Sequence, residues 1–406
     1  MSIGQPISTI DTPSMLVNLP QMEENITHLF QSLSAISRSR SGNTSTPITV
    51  RPHLKTSKSV AVANRLVRAG ATGGCVAKLS EAAVFCAAGF TDLLITSPIA
   101  GEIKAGRFAE LVRLHGSGAT GLKIVVDSLV GAEGIYSALS PLFPPPPPLS
   151  PEEANGVDQR RRNEKVSILL DINVGQNRTG VPPTSSSSSA AALELAISIR
   201  QSFSSRMEII GIQGYEGHLQ HIHDASQKRE ACLSAMRALV QTASDLRRAG
   251  FNIATVTTGG TGTAGICASV EGITEVQPGS FVFMDVDYRN ALGSGNRYKN
   301  SLTIVSTVLS KQGERKVTID AGLKALTTDS GLAECKDGRY VYDVMGDEHG
   351  SLTWGEGTTP RLEVGDRVEL IPSHIDPTVN LHDAYYAHRD GVIEEIWRVD
   401  ARGKIQ

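Results

Sequence analysis

Two side chains near the C-terminal end of the sequence have types and spacing suited to chemistry. In the stretch LIPSHIDPTVNLHD, His374 and Asp376 lie two apart, and Pro377 follows. On an extended backbone, residues i and i+2 project to the same face. A proline also biases the residue before it toward the β or polyproline region. The spacing therefore predicts an imidazole and a carboxylate directed at one spot: a metal site, a catalytic dyad, or a polar patch on a strand. Lys55, in VRPHLKTSK, falls just past a predicted strand. A lysine held there and partly desolvated can lose its proton and act as a Schiff-base nucleophile. Lys58, three residues on, is expected to turn toward solvent on the helical run that begins there. In TTGGTGT, consecutive glycines let backbone N–H groups converge on an anion, and Thr258, Thr261 and Thr263 add hydroxyls. Arg178, in DINVGQNRTGV, is an obligate cation at a strand end. Tyr215 and His218, in GYEGHLQ, offer an aromatic surface and a group that moves protons near neutral pH.

These residues need a scaffold that brings strand ends together. From Ile48 to Asp285 short β-rich runs alternate with helical ones: ITVRP, GGCVA, DLLITS, LKIVVDS, KVSILLDINV, EIIGIQGYEGH, IATVTTGG and EVQPGSFVFMD are the strand candidates. Amphipathic runs such as SVAVANRLVRAG and REACLSAMRALVQTASDLRRAG separate them, and Gly70, Gly89 and Gly250 supply glycine stops. Roughly eight such units predict an α/β fold, a (β/α)₈ TIM-type barrel, whose strand C-termini carry the site. An open doubly wound sheet fits less well, because no G-x-G-x-x-G follows the first strand. Beyond about Asn300 the pattern becomes β only, predicting a C-terminal all-β domain. The expected division is a barrel over 23–298, with 1–22 and 299–406 forming the β domain. Pro- and Ser-rich insertions near 37–47, 141–165 and 182–190, including the run Pro144 to Pro148, cannot build packed core.

Bulk properties narrow the partners. The 406 residues carry a formal charge of −3, which gives no basic footprint for nucleic acid. No apolar run reaches the ~20 residues that span a bilayer. The five cysteines are scattered without a C-x-x-C pair and read as buried free thiols, so a cytoplasmic setting is expected. A lysine, an anion cradle, an arginine, a tyrosine and a histidine at strand ends together suggest pyridoxal 5'-phosphate.

The motifs DTPSMLVNL, RPHLKTSK, VGQNRTG, YEGH, TTGGTGT, PGSFVFMD and PSHIDPTVNLHD, in this order, resemble the D-threonine aldolase and D-serine dehydratase family. These are metal-dependent pyridoxal-phosphate enzymes of the alanine-racemase architecture, fold type III. The resemblance implies that Lys55 is the Schiff-base residue and that Arg178 lies beside the cofactor ring. It implies that Gly259, Gly260, Thr261 and Gly262 hold the phosphate, and that His374 and Asp376 hold a metal at the barrel mouth. It further implies a homodimer and a small D-β-hydroxy-α-amino acid substrate, with His218 or a metal-bound water as base. Ser57 departs from the family, whose members commonly have histidine there. Relatives of the dehydratase type carry H-x-C, whereas aldolase-type relatives carry H-x-D. Asp376 thus implies an aldolase, and its harder donor suits Mn²⁺ or Mg²⁺ at least as well as Zn²⁺. A dehydratase is the alternative reaction. A cofactor carrier or a racemase fits less well, because each lacks such a pair.

Overall fold

The structure, a computed structural model, describes residues 3–40, 47–116, 121–142, 165–183 and 190–406. Most of the three predicted insertions, Pro144 to Pro148 included, lies outside the described residues. Ser37–Ser39 do not belong to a loop; they complete the helix Leu19–Ser39.

Eight parallel strands follow one another around a barrel: β2 (Thr49–Val50), β3 (Gly74–Val76), β4 (Leu93–Ile95), β5 (Leu122–Val126), β6 (Val166–Asp171), β7 (Met207–Gly214), β8 (Thr255–Thr258) and β9 (Glu275–Val276). β9 pairs with β2, and a bridge between His53 and Cys75 links β2 to β3. Every residue of β5 and β6 is buried, which explains their unbroken apolar character: helices cover the outside of a parallel sheet and side chains fill its interior. The helix Ala225–Arg248 illustrates the outer layer. Asp224 caps it by accepting from the Gln227 amide at 2.7 Å. Cys232, Met236, Leu239, Ala243 and Leu246, three or four apart, form its buried stripe. Each fully buried large side chain among them contributes about 1.5–3 kcal/mol. Gly70, Gly89 and Gly250 do end helices with positive φ.

One predicted strand is corrected. Of EVQPGSFVFMD only Glu275–Val276 is extended; Pro278 and Gly279 break the ladder, and Ser280–Val282 form a 3₁₀ turn. That break turns the backbone across the barrel mouth.

The second sheet is built from β1 (Ser14–Asn18) and the C-terminal strands. β1 lies between β10 (Leu302–Lys311), antiparallel, and β16 (Ala384–Arg389), parallel; β16 pairs with β17 (Val392–Arg398). β10 also pairs with β11 (Lys316–Ile319) and β15 (Arg367–Ile371). The two sheets are joined beside Lys55. The Tyr385 hydroxyl donates to the Ser57 carbonyl, the Ala401 amide to the Lys58 carbonyl at 2.9 Å, and the Val60 amide to Asp400 at 2.8 Å. The Arg65 guanidinium lies 4.5 Å from the Trp397 ring centroid. The β domain thereby fixes the turn that carries the lysine. Lys58 itself corrects the expectation of a solvent-facing side chain. It is buried in left-handed conformation at φ 48°, its amide donates to the Leu54 carbonyl, and its ammonium is 2.6 Å from Glu81. The helix begins only at Val60, so the turn precedes it and points Lys58 inward. All five cysteines are buried and free, and among the described residues no helix is long and apolar enough to cross a membrane.

Candidate active site

A cavity of about 270 Å³ opens where the barrel strands end against the β domain. A larger hollow of about 840 Å³ lies on the β domain between Leu16, Val305 and Tyr340. There Arg339 pairs with Asp337 and Lys336 with Glu369, and Arg367 donates to the Ser8 and Ile10 carbonyls. The chemistry-bearing side chains converge on the smaller cavity. Lys55 enters it after β2, Arg178 after β6, Tyr215 after β7, and Gly260 and Thr261 after β8; His374 and Asp376 face them from the β domain.

His374 and Asp376 meet at this cavity by a geometry other than the extended one. His374 is extended, at φ −140°, and is the N-cap of a short helix, Ile375–Val379, with Asp376 in its first turn. Pro377 is accommodated because the first amides of a helix need no intrahelical acceptor and its fixed φ suits a helix start. The side chains do not form an isolated pair. Asp376 Oδ2 lies 3.0 Å from Lys55 Nζ, and His374 Nδ1 lies 2.6 Å from Asp329 Oδ2. Asp376 Oδ1 is buried and has no hydrogen-bond partner.

The lysine is electrostatically different from the expectation. Asp376 is the largest influence on it and outweighs burial, so the ammonium is held above the ordinary lysine value. Burial opposes the charge on Asp376, but Lys55 and then His374 outweigh it and hold the carboxyl down at about 2. Partial desolvation therefore does not free the amine; the ion pair with Asp376 keeps its proton on. His53 lines the same wall, where burial and then Lys55 push its imidazole down to about 3. Behind the turn that carries His374 and Asp376, Asp285 is fully buried and raised by that burial to about 7. Its two oxygens accept from the Tyr288 amide at 2.8 Å and the Ile375 amide at 3.0 Å, tying the end of the barrel to His374 and Asp376.

The glycine loop is held from behind. Glu216, wholly buried, accepts from Thr258 Oγ1 at 2.8 Å and the Gly259 amide at 3.3 Å. The Gly260 amide donates to Thr263 Oγ1 at 3.1 Å, and the Gly262 amide to Gln220 Oε1 at 2.9 Å. Thr258, Gly259 and Gly262 thus direct their donors to the protein and are not among the residues that line the cavity. The mouth is completed instead by Gly279 and Ser280, brought in by the break after β9. The Phe281 amide donates to Thr261 Oγ1 at 3.0 Å, locking the two loops together. The amides of Thr261 and Ser280 have no acceptor among the described residues. A Cβ on Gly260 would come within 2.7 Å of Gln220 Oε1, and one on Gly279 within 2.6 Å of Thr56 Oγ1, so both loops approach the site only as glycine.

His218 is exposed and lies outside the cavity; its Nε2 would be 2.9 Å from a Cβ on Gly175. The 3₁₀ turn Gly217–Leu219 rotates it outward. One turn later His221 comes to the mouth, its Nδ1 3.2 Å from Asp287 Oδ1 and its ring 5.2 Å from Tyr288. Sequence reasoning missed His221, Asp287, Ser280 and Glu216. The signal for the first was present: QHIHD follows GYEGHL directly, and an offset of three residues is one helical turn. Arg178 sits with its guanidinium 5.2 Å from the Tyr215 ring centroid. Its loop is anchored by Thr179 Oγ1 to Asp171 at 2.7 Å and by the Gly180 amide to Asp127 at 3.1 Å.

Comparison with known proteins places this arrangement. Residues 38–287 match the alanine racemase N-terminal domain, and residues 301–388 the putative serine dehydratase domain. The chain is 32% identical over 402 residues to a D-threonine aldolase of an Arthrobacter species, covering 98% of this chain and 95% of that one. The chain belongs to the D-threonine aldolase and D-serine dehydratase-like family, fold type III. A D-threo-3-hydroxyaspartate dehydratase of a Delftia species is 30% identical over 401 residues, covering 93% of this chain and 94% of that one. The crystal structure of a D-threonine aldolase from Filomicrobium marinum superposes with a TM-score of 0.84 at 28% identity, covering 100% and 99% of the two chains. The family's relatives are thus enzymes of the lyase class, aldolases and a dehydratase among them.

This chain's residues fit the groups that family enzymes use. A phosphate would find the unengaged amides of Thr261 and Ser280, and a cofactor aldehyde the amine of Lys55. Among the described residues no group of three His, Cys, Asp or Glu forms a metal cage. The fit to a metal is a two-donor one, His374 and the unpartnered Asp376 Oδ1, with the remaining positions left for water or substrate oxygen.

Proposed function

We propose that this protein is a pyridoxal-phosphate- and divalent-metal-dependent aldolase. It cleaves D-β-hydroxy-α-amino acids, such as D-threonine, to glycine and an aldehyde. The observation that carries the reading is the meeting of His374 and Asp376 with Lys55 in one cavity, with one Asp376 oxygen unpartnered. Nitrogen and oxygen donors without a thiolate suit Mn²⁺ or Mg²⁺, with Zn²⁺ as a further candidate.

Lys55 would hold the cofactor, Thr261 and Ser280 its phosphate, and Arg178 and Tyr215 its ring side; His374 and Asp376 would hold the metal. When bound, these groups supply an electron sink for the pair left on Cα and a Lewis acid for the β-oxygen. His221 replaces His218 as the base. With its Nδ1 held 3.2 Å from Asp287 Oδ1, its Nε2 would take the β-hydroxyl proton as the Cα–Cβ bond breaks. A proton returned to Cα gives glycine. The β-oxygen becomes the aldehyde carbonyl, so atoms and charge balance. The reading includes a homodimer, as in the family resemblance, which light scattering of the purified holoenzyme tests.

The test is product analysis. Purified protein with cofactor and Mn²⁺ is given D-threonine, D-serine and D-threo-3-hydroxyaspartate. Glycine with acetaldehyde from D-threonine is expected, and chelation should stop turnover until Mn²⁺ is restored. Pyruvate and ammonia from D-serine, without glycine from D-threonine, would replace the aldolase with the dehydratase reading. Lys55→Ala should lose the visible absorbance of lysine-bound cofactor; if that band stays, Lys55 is not the attachment point.

A further inference from the structure

His374 contributes one ring nitrogen to the cavity, and the other is already committed. Its Nδ1 is 2.6 Å from Asp329 Oδ2, and no partner for Nε2 occurs among the described residues. An ionised carboxylate only accepts, so Nδ1 carries the proton, and a neutral ring then has its lone pair on Nε2. The position of Asp329 is set by a stitched loop. The Thr327 amide donates to Thr378 Oγ1 at 3.3 Å, the two threonine hydroxyls are 3.1 Å apart, and Ser373 Oγ donates to the Thr327 carbonyl at 3.0 Å. These bonds pin the segment carrying Asp329 to the short helix whose N-cap is His374. Asp329 is half-exposed, and besides His374 its carboxylate meets Ser330 Oγ at 3.4 Å and the Thr327 hydroxyl.

We propose that Asp329 is a positioning residue that fixes His374 as the Nδ1–H tautomer and aims Nε2 at the divalent metal. The inference rests on the metal reading above, and it assigns a role to a residue that neither the H-x-D motif nor its spacing indicates. A carboxylate behind a ligating histidine fixes the ring's orientation and raises its basicity, and its loss typically weakens metal binding by about 10–100-fold.

Two measurements test it, and neither needs turnover. First, ¹⁵N NMR of histidine-labelled, metal-free protein, with His374→Gln for assignment, reports the tautomer at a pH where the ring is neutral. Protonated Nδ1 is expected; protonated Nε2 overturns the proposal. Second, Mn²⁺ affinity is titrated by EPR on cofactor-loaded wild type, Asp329→Asn, Asp329→Ala and His374→Ala. Asp329→Ala should weaken Mn²⁺ by about 10–100-fold, with visible cofactor absorbance unchanged. Asp329→Asn, which keeps an oxygen acceptor, should recover part of that loss. Unchanged affinity in Asp329→Ala overturns the proposal. So does a loss as complete as that in His374→Ala with the tautomer unmoved, since Asp329 would then be a ligand. Wild type that binds no Mn²⁺, or His374→Ala that binds as well as wild type, instead overturns the metal reading, and the NMR result still judges the orientation.

Discussion

Replacing Lys58 by methionine measures how the turn that carries Lys55 is held. The Lys58 and Glu81 side chains are 9% and 2% exposed, with Nζ 2.6 Å from Oε1. Glu81 Oε2 keeps its own donors, the amides of Ala77 at 2.9 Å and Lys78 at 3.2 Å, so Lys58→Met strands only Oε1. Removing one partner of a buried pair costs about 3–5 kcal/mol, and the retained amides put this case near about 3 kcal/mol. Glu81→Gln leaves the Lys58 ammonium with an amide oxygen and a distant Ala401 carbonyl at 3.5 Å, and should cost less. In Lys58→Met/Glu81→Gln neither charge is stranded, so the double variant should be less destabilised than the sum of the two by about 2 kcal/mol. Urea unfolding of the cofactor-free protein, followed by fluorescence and circular dichroism together, gives the midpoints, and an unchanged m-value licenses the comparison. A Lys58→Met cost within about 0.5 kcal/mol, the range of exposed substitutions, or strict additivity in the double variant, would refute the buried pair. Lys58 would then be the solvated side chain that its sequence context suggests.

Three further perturbations address the barrel and its mouth. Arg51 bonds Glu275 at 2.9 Å and Asp92 at 2.6 Å, with Lys123 also 2.6 Å from Asp92. Arg51→Met strands Glu275 while Asp92 keeps Lys123, and should destabilise by about 3 kcal/mol in the same urea assay, at the lower end for a broken buried pair. Gly279→Ala puts a methyl 2.6 Å from Thr56 Oγ1 and 3.0 Å from the His53 carbonyl, so cofactor affinity measured by absorbance titration should fall at least ~10-fold, equivalent to about 1.4 kcal/mol. His53 has a folded-state value of about 3, below the ordinary 6.5. The unfolded chain therefore binds more protons between those values, and stability rises with pH there. This contribution is complete above 6.5 and is lost as the pH falls toward 3. Relative to His53→Gln, wild type should lose stability from pH 6.5 downward; parallel pH curves for the two proteins would refute a neutral His53 in the folded protein.

The barrel was legible because parallel strands buried on both faces read as apolar runs, and the helices between them show amphipathic stripes ending at glycines. Legibility failed where tertiary context decides the backbone. EVQPGSFVFMD is apolar enough for a strand, yet Pro278 and Gly279 bend it over the mouth and make Ser280 a cavity residue. Pro377 reads locally as a reason for extension, yet at a helix start it costs no hydrogen bond. Period and propensity register the residue type but not whether it stands before a helix or inside a strand. Some β-domain strands, such as Val341–Val344 and Gly350–Thr353, are only four residues long, too short to stand out.

The site was legible by residue type more than by role. Lys55, Arg178, Tyr215, His374 and Asp376 share one cavity, but their partners come from segments that motif spacing does not connect: Asp329 for His374, Asp287 for His221, Glu216 for the glycine loop. These partners decide charge and orientation. Asp376 shows why that matters, because its two oxygens differ in role. Oδ2 is held by Lys55, whereas Oδ1 is buried and makes no hydrogen bond of normal geometry. Leaving a buried charged acceptor unmade costs about 1–3 kcal/mol or more. The fold sustains it because Lys55 on one side and His374 on the other keep the carboxyl ionised. Under the proposed function, Oδ1 and the oriented imidazole are the pair that would meet a cation. Were position 376 cysteine, the side chain would keep no second oxygen beside the one that pairs with Lys55.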